Sequence, residues 1–150
     1  MPSATSTPAA SRPIAAVLAV VPHEGRVLLV RRANPPDAGL WGFPGGKIEF
    51  GETVTAAALR ELLEETAVVG KAVTILDALD VFETAKDGAV TRHFILIAVL
   101  CRWISGEPLA GDDALEAGWF SIADLDPAVL PMSADVEVIA REAQRTIARP

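Results

Sequence analysis

Cysteine is almost missing from this 150-residue chain, which has Cys101 alone. A single thiol excludes an internal disulfide framework and a Cys-rich zinc site. Basic residues are also short, with 13 Lys and Arg against 20 Asp and Glu, a formal net charge of -7. A generic nucleic-acid binder carries the opposite balance, because Lys and Arg neutralise the phosphate backbone. Long apolar runs are lacking too. Ile14 to Val21 is uninterrupted for only eight residues, far below the roughly 20 that cross a bilayer. A signal peptide would use Ala15, Ala16 and Ala19 as its small residues, but with Arg12 as the one preceding basic residue a buried strand is the better reading. Apolar residues in general are not scarce. At 51% of the composition they exclude a disordered chain, and 15.8 kDa fits one domain. The expected location is the cytoplasm.

Residues 1–13 hold Met, Pro, Ser, Ala, Thr and Arg and have little to bury, so a flexible N-terminal tail is expected, followed by a single domain over 14–150. Ile14 to Val21 and Arg26 to Arg31 predict two strands around a turn at His23-Glu24-Gly25. Ala33 to Gly39 reads as a loop, and Phe43-Pro44-Gly45-Gly46 as a break. Thr53 to Thr66 predicts a helix with Thr53 as N-cap. Val68 to Thr84 and Ala89 to Trp103 predict strands joined by a Lys86-Asp87-Gly88 hairpin turn, with a bend marked by Asp77 and Asp80. Gly106 to Asp113 reads as an acidic loop, Trp119-Phe120 as a short strand, and Ser133 to Ala148 as a C-terminal helix. Mixed elements with recurring hairpins place the fold in the α/β (α+β) classes rather than among doubly wound parallel sheets.

The helix carries the chemistry. With Glu61 set at zero, Glu64 falls near -60° and Glu65 near +40°, so three carboxylates share an arc of about 100°. Leu59, Leu62 and Leu63 fall on the opposite side and are expected to face the core. A solvated acidic face is the plain alternative. Against it, Glu61 and Glu65 repel as an i,i+4 pair, and Glu64 and Glu65 lie near the helix C-terminus, where the macrodipole disfavours anions. Arg60 is the one nearby cation. Such a cluster suits a divalent cation, and oxygen ligation favours Mg²⁺, Mn²⁺ or Ca²⁺ over zinc. Gly45 and Gly46 allow close backbone approach, with carbonyls available as further ligands; a tight turn is the alternative. Glu52, just before the helix, is placed to pair with Arg60.

The spacing forms a longer pattern. Gly46 is followed by five residues and Glu52, then by seven residues and Arg60-Glu61, Leu62-Leu63, Glu64-Glu65, Thr66, Ala67 and Val68. This resembles the Nudix box over the 23 residues from Gly46 to Val68, and Trp41 to Glu49 resembles its usual lead-in. The resemblance implies an α/β/α sandwich with a mixed β-sheet. One position departs: Ala67 stands where the family has Gly. If that residue ends the helix in the left-handed region, alanine costs about 1 kcal/mol there.

The resemblance also implies a metal-dependent pyrophosphohydrolase, cleaving a nucleoside diphosphate linked to another group: ADP-ribose or another nucleotide sugar, or an unmodified or oxidised (deoxy)nucleoside triphosphate. The alternative is a non-catalytic Nudix-fold nucleotide-binding or regulatory domain. Carried over residue by residue, Glu61, Glu64 and Glu65 are the catalytic metal ligands for Mg²⁺ (or Mn²⁺), the Gly45 or Gly46 carbonyl is a further ligand, and Glu52 supports the loop through Arg60. A further carboxylate from outside the box is expected among Asp112, Asp113 and Glu116, with Glu116 preferred. Arg31 and Arg32 are candidates for a phosphate contact; neighbours on a strand point to opposite faces, and Arg32 is preferred. Arg92 is a weaker candidate of the same kind. Trp41 or Phe82 can stack on a base, but core packing is the preferred reading for each. His23, His93 and Cys101 are read as structural. The expected partner is a small-molecule nucleotide, with neither nucleic acid nor membrane, and a homodimer is the candidate assembly.

Overall fold

A computed structural model describes residues 12–35 and 37–149. Most of the expected tail therefore lies outside the described residues. Eight strands form two sheets. In the first, β5 (Gly45–Lys47), β1 (Ile14–Val20), β7 (Val90–Ser105) and β6 (Val69–Thr84) lie in that spatial order. Only the β1–β7 pair is parallel, which makes the sheet mixed. In the second, β3 (Arg26–Arg32) pairs with β2 (Pro22–His23), β4 (Trp41–Gly42) and β8 (Ala114–Ser121). The helices are α1 (Val54–Thr66) and α2 (Val136–Ile147). Among the described residues no helix is long and apolar enough to cross a membrane.

The apolar runs are continuous because the strands are buried on both faces. Side chains alternate along each strand. Val20, Leu29, Ala98 and Leu100 join a core closed by Val136, Ile139, Ala140 and Ala143 of α2. Val17, Ala19, Leu28, Val99 and Cys101 join the other, closed by Ala57, Ala58 and Leu62 of α1. One helix therefore covers each side, the α/β/α arrangement expected. Cys101 is fully buried, and burial pushes its thiol up to about 12.

Several boundaries differ from the sequence expectation. Trp119-Phe120 belongs to an eight-residue strand, β8, whose partner β3 is distant in sequence. The Asp77–Asp80 region does not break β6; register shifts between Ala72 and Thr74 and between Ile75 and Asp77 absorb the irregularity within one strand. The C-terminal helix starts at Val136, after Asp135 in a left-handed conformation, rather than at Ser133. The hairpin turn forms as read, with Gly88 at φ 87° and Ala85 N–H on the Ala89 carbonyl.

Candidate active site

Two caps fix the ends of α1. The Thr53 hydroxyl accepts the Ala56 N–H at 3.1 Å. At the other end Ala67 adopts φ 62°, ψ 10°, and its N–H reaches the Leu63 carbonyl. The loop leading to β8 finishes the job: Leu109 N–H and Gly111 N–H donate to the carbonyls of Thr66 and Glu65. These carbonyls would otherwise be unpaired at the helix end, and satisfying them draws the acidic loop against the acidic helix.

The buried arc of α1 is Ala57, Ala58, Leu62, Glu65 and Thr66. This corrects the helical-wheel reading in two ways. Leu63 is 53% exposed, whereas Glu65 is only 9% exposed. The small side chains of Ala57 and Ala58 bring that flank against the sheet, and Glu65 lies on the same flank, above Gly45. The Gly45 N–H donates to Glu65 Oε2 at 2.9 Å. A Cβ on Gly46 would sit 2.6 Å from the Glu61 carboxylate carbon. Gly46 thus leaves the volume that the Glu61 carboxylate occupies, whereas a Cβ on Gly45 would run into the Val17 carbonyl of β1. Burial first, and then the hydrogen bond and charge of neighbouring Glu61, push Glu65 up to about 8; the Gly45 N–H and Arg32 pull the other way and only partly offset this.

Arg60 organises the rest. Its guanidinium grips Glu52 with two hydrogen bonds, at 2.7 and 2.9 Å. A second edge donates to Glu61 at 2.8 Å, to Glu64 at 3.0 Å and to the Lys47 carbonyl at 3.1 Å. Arg60, with help from the Glu49 N–H, holds Glu52 down at about 2. The pairing of Glu52 with Arg60 is therefore as the spacing implied, and it ties the β5–α1 loop to the helix.

These groups line one wall of a cleft of about 1150 Å³. Gly45, Gly46, Arg60, Glu61, Glu64 and Glu65 all reach it, and so do Arg32 and Arg92. Arg92 pairs with Glu83 at 2.7 Å and lies over the ring of Phe94. Four candidate residues fall elsewhere. Arg31 and Glu116 stand opposite each other in the β3–β8 ladder and form an ion pair at 2.7 Å, outside the cleft lining. Trp41 packs edge-on against Phe120 in the core beside α2, so its ring is spent on packing. Phe82 is likewise away from the cleft, against His93. In place of Glu116, the cleft receives Asp112 and Asp113. The Asp113 carbonyl accepts Ala33 N–H, which fixes this loop beside the end of β3.

The expected metal ligands fit a hard cation in chemistry but are not gathered around one point. Among the described residues no three His, Cys, Asp or Glu side chains stand in metal-holding geometry. The reason is local: Glu61 and Glu64 turn to the same Arg60 nitrogen, while Glu65 turns to the Gly45 N–H. The donor set is nonetheless all oxygen, partly buried and mutually repulsive, the kind that suits Mg²⁺ or Mn²⁺.

The NUDIX domain family matches residues 11–141 of this chain. An ADP-ribose pyrophosphatase from Methanocaldococcus jannaschii is 36% identical over 113 residues, which is 75% of this chain and 64% of that protein. The chain thus spans just under two thirds of that relative's length. A putative 8-oxo-dGTP diphosphatase 2 from Mycobacterium tuberculosis is also 36% identical, over 66% of this chain and 67% of its own. The crystal structure of a MutT NUDIX hydrolase from Burkholderia pseudomallei superposes with a TM-score of 0.74 at 30% identity, covering 87% of this chain and 98% of that one.

Proposed function

The chain belongs to the Nudix family, and on that premise we propose that it is a pyrophosphohydrolase acting on a nucleoside diphosphate linked to a second group. The observation that carries this reading is the close Glu61–Glu65 pair, Glu65 buried and Glu61 partly so, set in a cleft where Gly46 provides no side chain. Glu61, Glu64 and Glu65, with the Gly45 or Gly46 carbonyl, are the residues that would hold Mg²⁺ or Mn²⁺. When bound, that ion supplies charge neutralisation for the phosphates, polarises a phosphoryl oxygen and activates a water.

The chain's own residues do the remaining work. Glu52 anchors Arg60, and Arg60 holds Glu61 and Glu64 at the cleft wall. Arg32 and Arg92 line the same cleft and offer planar donors that match phosphate oxygens. Asp112 and Asp113 are carboxylates from outside the box that reach the cleft, so this pair, in place of Glu116, is the source of the further carboxylate, as metal ligand or base. The cytoplasm is the proposed compartment, where an unpaired thiol such as Cys101 stays reduced.

The substrate class spans ADP-ribose, other nucleotide sugars, and unmodified or oxidised (deoxy)nucleoside triphosphates. The test is a substrate panel assayed for product with Mg²⁺, with Mn²⁺ and with excess chelator. Metal-dependent cleavage of at least one anhydride substrate, with the products identified, is the expected result. Binding of a nucleotide without cleavage of any would overturn the enzyme reading in favour of a non-catalytic nucleotide-binding domain.

A further inference from the structure

We propose that Gly111 is a positioning residue for the reaction assigned to the cleft: it locks the turn that carries Asp112 and Asp113 to the end of α1, so that these carboxylates keep a fixed place relative to Glu64 and Glu65. That role presupposes the hydrolase reading of the site. Gly111 is needed for space and not for conformation, since its φ lies outside the left-handed region. A Cβ there would lie 2.5 Å from the Glu64 carbonyl oxygen, a backbone atom with no flexible side chain to yield. Without a Cβ, loop and helix come close enough for the Gly111 N–H to donate to the Glu65 carbonyl at 3.0 Å.

The bonds around Gly111 tie separate parts of the cleft together. Glu65 accepts the Gly45 N–H on its side chain and the Gly111 N–H on its backbone carbonyl, so β5, α1 and the loop meet at one residue. The Gly111 carbonyl in turn accepts the Ala114 N–H at 3.0 Å, closing a four-residue turn with Asp112 and Asp113 at its centre. Asp112 sits at φ 46°, a strained setting for a residue with a side chain, and such strain persists only where the surroundings hold it. The other end of the turn is fixed to β3, where the Asp113 carbonyl accepts the N–H of Ala33, the neighbour of Arg32. Asp112 and Asp113 line the cleft together with Glu61, Glu64 and Glu65. Carboxylates of like charge repel, so the backbone bonds, and not attraction between these side chains, bring the turn onto α1. Capping the helix alone would be served by neutral residues, and Leu109 N–H already caps the Thr66 carbonyl.

Ordinary contact begins near 3.4 Å, so Gly111→Ala must move the turn off α1 by about 1 Å, a misplacement of the size that costs about a hundredfold in rate. The test is steady-state kinetics on the full chain, with whichever substrate of the panel it cleaves, beside melting and metal-free amide hydrogen exchange. Gly111→Ala should lower kcat by about tenfold to a hundredfold, with KM changed less than about threefold, and should speed exchange at the amides of Leu109 and residue 111. Added to Asp112→Asn/Asp113→Asn, it should lower kcat by less than about twofold further, because it acts through those carboxylates. A structural defect would lower kcat alike on both backgrounds. Gly118→Ala, whose Cβ would meet only Phe120 at 3.8 Å, is the control with unchanged kinetics. Leu109→Pro deletes the neighbouring bond to the Thr66 carbonyl without crowding Glu64, and should give a smaller fall in kcat of the same kind; it decides the matter if Gly111→Ala does not fold. A wild type that cleaves no substrate would overturn the hydrolase reading and this role with it. An active wild type beside a folded Gly111→Ala, or in its place a folded Leu109→Pro, of unchanged kcat would overturn this role alone, as would an equal loss on both backgrounds.

Discussion

Replacing Ala67 by glycine should stabilise the protein, and the gain can be worked from the geometry. Ala67 ends α1 at φ 62° and ψ 10°, a region in which an L-residue with a Cβ costs roughly 1–2 kcal/mol. Glycine removes that strain but adds freedom to the unfolded chain, which takes back about 0.5–1 kcal/mol. Nothing else is lost: the alanine side chain is exposed, and the bond to the Leu63 carbonyl comes from the backbone N–H. The net expectation for Ala67→Gly is a gain of about 0.5–1 kcal/mol, or a Tm higher by roughly 1–4 °C in a domain of this size. Calorimetry of both proteins in the same buffer reads this directly. Ala67→Val, with a branched side chain in the same conformation, should lower Tm. Because Ala67 shapes only the helix exit, kcat/KM should be unchanged in the glycine variant. A fall in Tm on Ala67→Gly would refute the strain argument, and a large kinetic change would mean that this exit geometry sets the site.

Leu62 is fully buried beneath α1, so Leu62→Ala should cost about 2–5 kcal/mol in chemical denaturation, with turnover per folded molecule retained. Gly46→Ala should show the reverse pattern. Its Cβ meets the movable end of Glu61, so kcat should fall at least tenfold while Tm changes little. Glu52, held at about 2 in the folded state against an ordinary 4.5, adds stability that is present above pH 4.5 and is lost as pH falls toward 2. Melting curves of wild type and Glu52→Gln should therefore differ at pH 7 and converge as the pH is lowered.

The local chemistry of the site was legible in the sequence, and the long-range geometry was not. Thr53 as cap, the pairing of Glu52 with Arg60 and the left-handed exit at Ala67 all depend on residues within one turn or one loop of each other. The choice between Leu63 and Glu65 as the buried residue depends on which flank of α1 meets the sheet, and Ala57 and Ala58 decide that by their size. On a helical wheel, hydrophobicity alone pointed to the leucines. Asp112, Asp113 and Glu116 sit too close together in sequence for spacing to tell them apart. Their separation follows from the β3–β8 register, which sets Glu116 against Arg31 and leaves the two aspartates on the loop that enters the cleft. Such a register between strands more than 80 residues apart has no local signature. The same pairing separates the neighbours Arg31 and Arg32, as strand alternation required.

The central claim is that the carboxylates of α1 are a reaction centre and not a solvated acidic face. The most direct measurement is kcat/KM for Glu64→Gln beside its Tm, at limiting Mg²⁺ or Mn²⁺ and on whichever substrate the panel identifies. Glu64 has a side chain 44% exposed and one cation partner, Arg60, so its glutamine variant should fold with a Tm close to that of the wild type. The account predicts a loss of roughly 10²- to 10⁴-fold in kcat/KM, several kcal/mol of transition-state stabilisation. Full activity in that folded variant would contradict it.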